Sequence, residues 1–572
     1  MNGLYLAAAT LVVFAFGYRF FAKLLALEIF RLEANYSTPA EAQADGRDYV
    51  PTHRQLLFGH HVAALTGAAA FAGPIVAAGW GWVPAFLWIT AGSAVAAGTY
   101  GLGALWFAGR YPGNLADAAG RLVGSWARAV LRIAVPLVLL LIAAAAAGLG
   151  ASILAAYPGA VLPLAAVAAL GTLLGRYLHG RAESKLLPAC AAAFALSLVA
   201  LWLLGRLTFA VNGALVLSIG GHTVIEVDAR IVWLAIQLVY AFHAAQLPVW
   251  KLMRPRAVLT TLQLVVLLAV FYVALGFERP ALTAPEFHSA SESSGSSLPW
   301  LFLVLGAGAF AGWQLFLVHS VTGRELRREP DARYAGYGGA LVQGLAALSA
   351  LLLAVTAFAG RSDWAAHYAA APSATDFPQA LVFYIDAYAR HVDVLGIDAG
   401  TGRNLAATVL AGLALAVLEA AVRALRHTLP EFVPTWRQSP RTERRMLWLA
   451  LGVVAGIALH DGSGLGGVRA WPALAMVSLW AAALGFAMMG VALRALERPA
   501  APLAVFAGAT AAVAAWTTVA LAVWAWSESA WVLAAADLIL LVAAGATAFE
   551  VVAAWRRTGP GEVPAGGRPA SG

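Results

Sequence analysis

The chain of 572 residues contains a single cysteine, Cys190. One thiol excludes an intrachain disulfide and any cysteine-based metal cluster. Charge is scarce as well. Asp, Glu, Lys and Arg make up 12% of the chain, whereas a soluble domain carries about 25%. No stretch is long and polar enough to form a separate soluble core, which argues against a soluble enzyme on a single anchor. The ten-residue alternation of a transmembrane barrel strand is missing too. What remains is apolar: 61% of residues are hydrophobic, in runs of about 20 that recur to the end. The sequence therefore predicts an all-α, polytopic membrane protein.

About fifteen transmembrane helices are expected, near 3–26, 60–79, 81–108, 130–155, 158–175, 186–205, 230–250, 257–277, 299–320, 336–360, 403–424, 446–460, 471–493, 502–526 and 531–555. They form one membrane domain, residues 1–557. The tail 558–572, rich in Gly, Pro and Ala, is expected to be disordered. Phe377 to Val394 reads as an amphipathic surface helix or a re-entrant one.

The net charge is +8, and the basic residues sit in short connections, where they set orientation. Connections after odd-numbered spans hold Arg110, Arg121 and Arg128, then Arg324, Arg327 and Arg328, and finally Arg556 and Arg557. The opposite side has the acidic, Ser-rich loop around Glu278, Glu286 and Glu292. This parity predicts an outside N-terminus and a cytoplasmic C-terminus. The first apolar segment precedes its positive charges (Arg19, Lys23, Arg31), the reverse of a signal peptide, so it reads as a retained helix.

The second span departs from a plain apolar helix. It enters through His60 and His61, runs over small residues and reaches Gly73-Pro74. Gly and Pro loosen the helical hydrogen-bond ladder, which a bilayer tolerates only where protein or a water-filled cavity satisfies the freed groups. Polar side chains on an interrupted helix are a sequence pointer to a transporter's binding site. Successive helical residues lie about 100° apart, so the two rings face different ways. His60 shares a face with Ala64 and Gly67, His61 with Leu65 and Ala68. One imidazole would bond an anionic solute or relay a proton. The alternative is a boundary pair, one ring solvated and one bonding a carbonyl. Adjacent histidines chelate poorly and no carboxylate lies at ligand spacing, so neither a metal nor another cofactor is expected.

Glu419 reads either as a coupling or gating acid, or as the i,i+4 partner of Arg423. Gly336-Tyr337-Gly338-Gly339 serves close backbone approach to a ligand or close helix packing. Asp537 is a lone acid in the last span. No short internal repeat is visible.

These elements carry a family resemblance. Asp48-Tyr-Val-Pro-Thr52, Leu57-Phe-Gly-His-His61, Gly67 and Gly73-Pro74 resemble the opening motif of the carbon starvation protein A (CstA) family. Leu247-Pro-Val-Trp250 with Pro255-Arg256, the Gly336–Gly339 element and Trp471-Pro472 match further elements, and the likeness runs from about Phe16 to Glu497. The resemblance implies a secondary transporter of the bacterial inner membrane for short peptides or a small carboxylate such as pyruvate, with protons as the natural driver. The implied substrate site combines Gly59, His60, His61, Gly67, Gly73, Pro74, Gly336, Tyr337, Gly338, Gly339 and Thr322. Coupling or gating would fall to Glu419, His60 and His61. The implied partners are the lipid bilayer, the solute and a proton, and not a nucleic acid. Several polar family elements are replaced, by Ala69-Ala70, by Thr99-Tyr-Gly-Leu102, by Val318 to Arg324 and by Gln343 in place of a Glu. These losses support a second reading, a non-transporting membrane sensor or assembly partner on the same fold.

Overall fold

The computed structural model describes residues 2–207, 209, 214–219, 222–288, 297–306, 312–369, 376–431, 439–527 and 531–558. The expected disordered tail beyond residue 558, Glu292 and the Asp537 side chain lie outside them. Among the described residues the membrane portion is helical. Its longer helices are α1 (Gly3–Ile29), α2 (Arg54–Thr66), α3 (Ala69–Ala77), α4 (Trp82–Arg110), α5 (Ser125–Ala156), α6 (Val161–Leu178) and α7 (Leu186–Leu204). After a short hairpin come α8 (Ala229–Gln246), α9 (Met253–Glu278), α10 (Ser297–Leu305), α11 (Gln314–Ser320) and α12 (Arg333–Thr356). The last six are α13 (Phe377–Val392), α14 (Ala399–Thr428), α15 (Pro440–Leu459), α16 (Trp471–Ala495), α17 (Ala501–Ser527) and α18 (Trp531–Arg557).

Among the described residues, 10 helices are long and apolar enough to cross a bilayer, or up to 11 if the bent pair α2–α3 counts as one span. The expected fifteen is not confirmed. Three of the expected spans meet a physical obstacle. The span 299–320 is described only as α10 and α11; α8 carries Arg230, Gln237, His243 and Gln246 within its 18 residues, and α15 opens with a charged turn, Arg441 to Arg445. The hairpin was not anticipated. Strands β1 (Ala214–Ile219) and β2 (His222–Asp228) pair antiparallel. Their β-branched residues, Val216, Ile219, Thr223, Val224, Ile225 and Val227, favour strands.

Helix α14 forms the centre. Its sequence from Leu405 to Leu418 is small or apolar on every face, the pattern of a helix buried all round, and its apolar window is 100% buried. It packs most extensively on α5 and also meets α2, α8, α9 and α13. Helix α13 is not a surface helix. Phe377, Leu381, Tyr384, Ile385 and Tyr388 are fully buried, and its polar side is only the narrow remainder. Helices α7 and α17 lie at the periphery, each 22% buried over its apolar window.

The interruption lies between α2 and α3, which are bent by 47°. The break falls at Gly67 (φ 60°, ψ 169°), not at Gly73-Pro74. A positive φ suits glycine because no Cβ is present to clash. Gly73 and Pro74 lie within α3 instead. A Cβ on Gly73 would stand 2.6 Å from the Val304 carbonyl oxygen, so this glycine serves close packing of α3 on α10.

A second close approach joins α4 to α12. A Cβ on Gly101 would stand 2.6 Å from the Gly336 carbonyl oxygen. Both helices carry a π-helical segment here, Gly92–Ala97 and Arg333–Tyr337. The Tyr337 hydroxyl donates to the Ala94 carbonyl at 2.5 Å, tying one segment to the other. Replacing Gly101 by Ala is expected to cost about 1–3 kcal/mol by overpacking, read as a lower unfolding temperature in detergent. Gly276→Ala, where a Cβ meets nothing within 4 Å, is the control and should show no loss.

Candidate functional site

His60 and His61 are both 2% exposed, so neither ring is solvated. Although they point in different directions from α2, both reach one returning turn, Thr322–Glu325. His60 Nδ1 lies 2.6 Å from Glu325 Oε1, and His61 Nδ1 lies 3.1 Å from Thr322 Oγ1. Glu325 is fully buried. It also accepts from Thr52 Oγ1 at 3.3 Å and from Arg254 Nη1 at 3.4 Å. The backbone closes the same junction: the Thr52 N–H donates to the Glu325 carbonyl at 3.2 Å. A buried carboxylate without partners costs several kcal/mol; here three segments supply the donors. On the far side of Thr52 and Arg254 lies a vestibule of about 200 Å³, lined also by His53, His179, Glu183 and Arg327.

Asp48, from the opening motif, makes a second clamp. Its carboxylate accepts from Arg423 and Arg426 at the end of α14, and His427 Nε2 is 3.5 Å away. Burial acts to raise the Asp48 carboxyl. The His427 hydrogen bond and the charges of Arg423, His427 and Arg426 outweigh it and hold the carboxyl well below the usual carboxylate range.

Arg423 is thus committed to Asp48, which corrects the expected Glu419–Arg423 pair. Glu419 instead accepts from Arg256 Nη2 of α9 at 2.8 Å, both side chains being buried. Arg256 Nη1 donates to the Gly412 carbonyl at 3.2 Å. Sequence proximity favoured i,i+4; the packing of α14 on α9 supplies the actual partner.

Two small cavities flank the break. One, of about 10 Å³, is lined by His61, Thr66, Gly101, Gln314, Gly336, Gly339 and Gln343; that is room for about one water. The other, of about 30 Å³, is lined by Thr66, Gly67, Ala68, Trp313, Val417 and Trp471, among others. The expected water-filled chamber is therefore present only as water-sized voids. Thr66 borders both. Among the described residues, the buried Thr66 Oγ1 and Gln343 Nε2 have no hydrogen-bond partner. Gln343 Oε1 is occupied, accepting from Gln314 Nε2 at 2.9 Å. Two unpaired donors beside His61 leave a place for an acceptor.

Of the residues expected at the site, His61, Gly336 and Gly339 border the smaller void, Gly67 borders the larger, and Thr322 bonds His61. A Cβ on Gly339 would approach the His61 ring at 3.2 Å. The others are elsewhere. The Gly59 carbonyl accepts from Thr261 Oγ1 at 2.7 Å, where α2 packs on α9. Tyr337 is occupied with Ala94, and Gly338 faces Phe58 and Tyr18. Gly73 and Pro74 pack within α3. Sequence reasoning missed Glu325, because it sits in an Arg-rich loop that reads as solvated. It missed Thr66, an ordinary residue in an apolar run, and took Gln343 only as a lost acid.

These features define a multi-pass α-helical membrane protein whose interrupted helix is secured by buried ion pairs. The chain belongs to the carbon starvation protein CstA family, whose match covers residues 2–393. It is similar to the peptide transporter CstA of Mycobacterium tuberculosis (strain CDC 1551 / Oshkosh), 29% identical over 361 residues, which is 62% of this chain and 46% of that protein. It is also similar to the pyruvate/proton symporter BtsT of Escherichia coli (strain K12), 28% identical over 360 residues, 62% of this chain and 49% of that protein. The chain spans about half the length of these curated relatives. Among solved structures it is similar to MhsT in complex with L-phenylalanine, at 13% identity and TM-score 0.48, covering 86% of this chain and 99% of that one.

Two outcomes follow for the clamps. Asp48→Ala leaves two buried guanidinium groups unpaired and should cost about 3–5 kcal/mol, seen as a lower unfolding temperature. Because the folded Asp48 pKa is depressed, its contribution is present above about pH 4, the unfolded value. It is lost as pH falls below that. Asp48→Asn should flatten the acid limb of the stability profile and leave its shape at neutral pH unchanged. Glu419→Ala should be similarly destabilising, whereas pairing Glu419→Leu with Arg256→Met should recover most of the loss.

Proposed function

We propose that this protein is a secondary transporter of the bacterial inner membrane that moves a small carboxylate such as pyruvate, or a short peptide, in symport with protons. The carrying observation is the pair of unsatisfied buried donors, Thr66 Oγ1 and Gln343 Nε2, at the break between α2 and α3 beside His61. A carboxylate accepts from both, and the amide groups at the α3 N-terminus add a favourable field for an anion. A ligand pocket for a drug-sized molecule measures roughly 300–1,000 Å³. The voids here are far smaller, so in this reading the structure is a closed conformation and the cycle includes opening. A small carboxylate needs less opening than a peptide. His60 and Glu325 are the proposed coupling pair. Protonating Glu325 removes its charge attraction to Arg254 and to the His60 ring, releasing α2 from the returning turn. Glu419 keeps a structural role in this scheme. The N-terminus is placed outside and the C-terminus in the cytoplasm, on the charge parity of the connections.

The reading is tested by uptake of labelled pyruvate and of labelled di- and tripeptides into proteoliposomes, with and without an inward proton gradient. Gradient-driven uptake of one solute is expected. Thr66→Val and Gln343→Leu should each weaken apparent affinity roughly 10–100-fold, the loss of a hydrogen bond to a charged solute. Glu325→Gln should abolish gradient dependence while exchange persists. Absence of flux for every solute under both conditions would overturn the proposal.

A further inference from the structure

A second cavity lies away from the broken helix and is not used in the scheme above. It is a groove of about 410 Å³ between α5, α16, α17 and α18. Its walls are built largely from small side chains, among them Ala134, Ala483, Ala504, Gly508, Ala511 and Ala544. Small residues normally let membrane helices close on one another. Here they do not: a Cβ on Gly508 would meet nothing within 4 Å.

Two polar groups along the wall, away from its end, are already satisfied. Thr547 Oγ1 donates to the Ala543 carbonyl at 2.8 Å, and Trp480 Nε1 donates to Thr518 Oγ1 at 3.1 Å. The exception is at one end, where Arg556 lines the groove, exposed and with no protein partner among the described residues. Trp555 closes that end, packing at 3.1 Å from where a Gly490 Cβ would be and lying under the Arg494 guanidinium at 5.3 Å. Arg557 is adjacent and donates to the Val123 carbonyl at 3.2 Å. The acids nearby are engaged elsewhere. Glu550 accepts from the Trp126 and Ala127 N–H groups at 3.0 and 2.8 Å, and Asp117 faces Arg128 and Arg132, each at 3.8 Å. Among the described residues, no carboxylate pairs with Arg556 at the end of the groove.

We propose that this groove is a binding site for one anionic phospholipid, an acyl chain lying along the alanine-lined walls and the phosphate headgroup against Arg556. A wall without free donors or acceptors suits a hydrocarbon chain, and an unpaired guanidinium at its mouth suits a phosphate oxygen. A helix from a second copy of the chain is about 10–12 Å wide with its side chains, too thick for a slot of this volume.

The test uses the full chain, purified in mild detergent and analysed by native mass spectrometry and by thermal unfolding. Added dioleoylphosphatidylglycerol should remain bound at one per chain and raise the unfolding temperature more than dioleoylphosphatidylcholine. Arg556→Gln should reduce that preference about fivefold, as expected for one basic side chain at a membrane surface. It changes no packing, so it tests the headgroup contact even if the groove-filling variant fails to fold. Ala544→Phe should abolish retention of both lipids. Equal retention of the two lipids by the unaltered protein, an unchanged preference in Arg556→Gln, or a dimer that forms in place of lipid binding would each overturn the proposal.

Discussion

The interior of this bundle depends on the ionic contacts of Glu325. A lone carboxylate at that depth would be costly enough to exclude the observed packing. It persists because His60 from α2, Thr52 from the segment before it and Arg254 from α9 converge on its two oxygens. None of these partners is close to Glu325 in sequence, so the carboxylate fixes three tertiary relations at once. The direction of α2, the path of the opening motif and the seat of α9 are all set by one charge. Asp48 repeats the device at the end of α14 with Arg423 and Arg426. A third cluster joins Glu329, Arg110 and Glu33, where Arg110 Nη2 lies 3.0 Å from both acids. In a chain with so few charges, most of the buried ones belong to such junctions.

Between the junctions the bundle closes by small residues. Gly59, Gly101 and Gly339 bring α2 against α9, α4 against α12, and α12 against the His61 ring. Helix association within lipid gains little from hydrophobicity and relies on such close contact. The ion pairs and the glycines are therefore complementary. The charges select which helices meet, and the missing side chains let them meet closely. Gly67 does something different: it turns the backbone, giving α2 and α3 separate ends beside two unpaired donors.

The helical class and the interrupted second span were legible in the sequence, because apolar run length and misplaced polarity are local signals. The position of the break was not. Proline draws the eye because it lacks an N–H, yet a helix absorbs that loss where neighbours pack tightly, as α3 does around Pro74. A positive φ leaves no composition signal beyond a glycine among many. The partners of Glu325 and Glu419 were hidden for another reason. Sequence proximity suggested Arg423 for Glu419, but tertiary packing set the pair with Arg256. Glu325 was masked by neighbouring arginines that report orientation only by their abundance. Thr66 and Gln343 acquire meaning only from what fails to reach them.

Two of the buried acids, Glu419 and Glu325, differ in a way that bears on which of them suits a changing charge. Glu419 is held by Arg256 of α9, whose backbone is pressed by α6: a Cβ on Gly171 would stand 2.8 Å from the Arg256 Cα. No lining group of the vestibule belongs to that pair. Glu325 sits directly behind Thr52 and Arg254, which do line it. A proton reaches a buried carboxylate through water or through hydrogen-bonding side chains, and Glu325 has such a route on one side, through Thr52 and Arg254, and a ring, His60, on the other. A group that exchanges protons also needs partners that can be released without unpacking a helix. Thr52 and Arg254 border a cavity into which they could withdraw, while Arg256 is fully buried against Glu419. In the proposed scheme the coupling role, for which the sequence offered Glu419 as one of two readings, is therefore given to Glu325, and the reason is access rather than acidity.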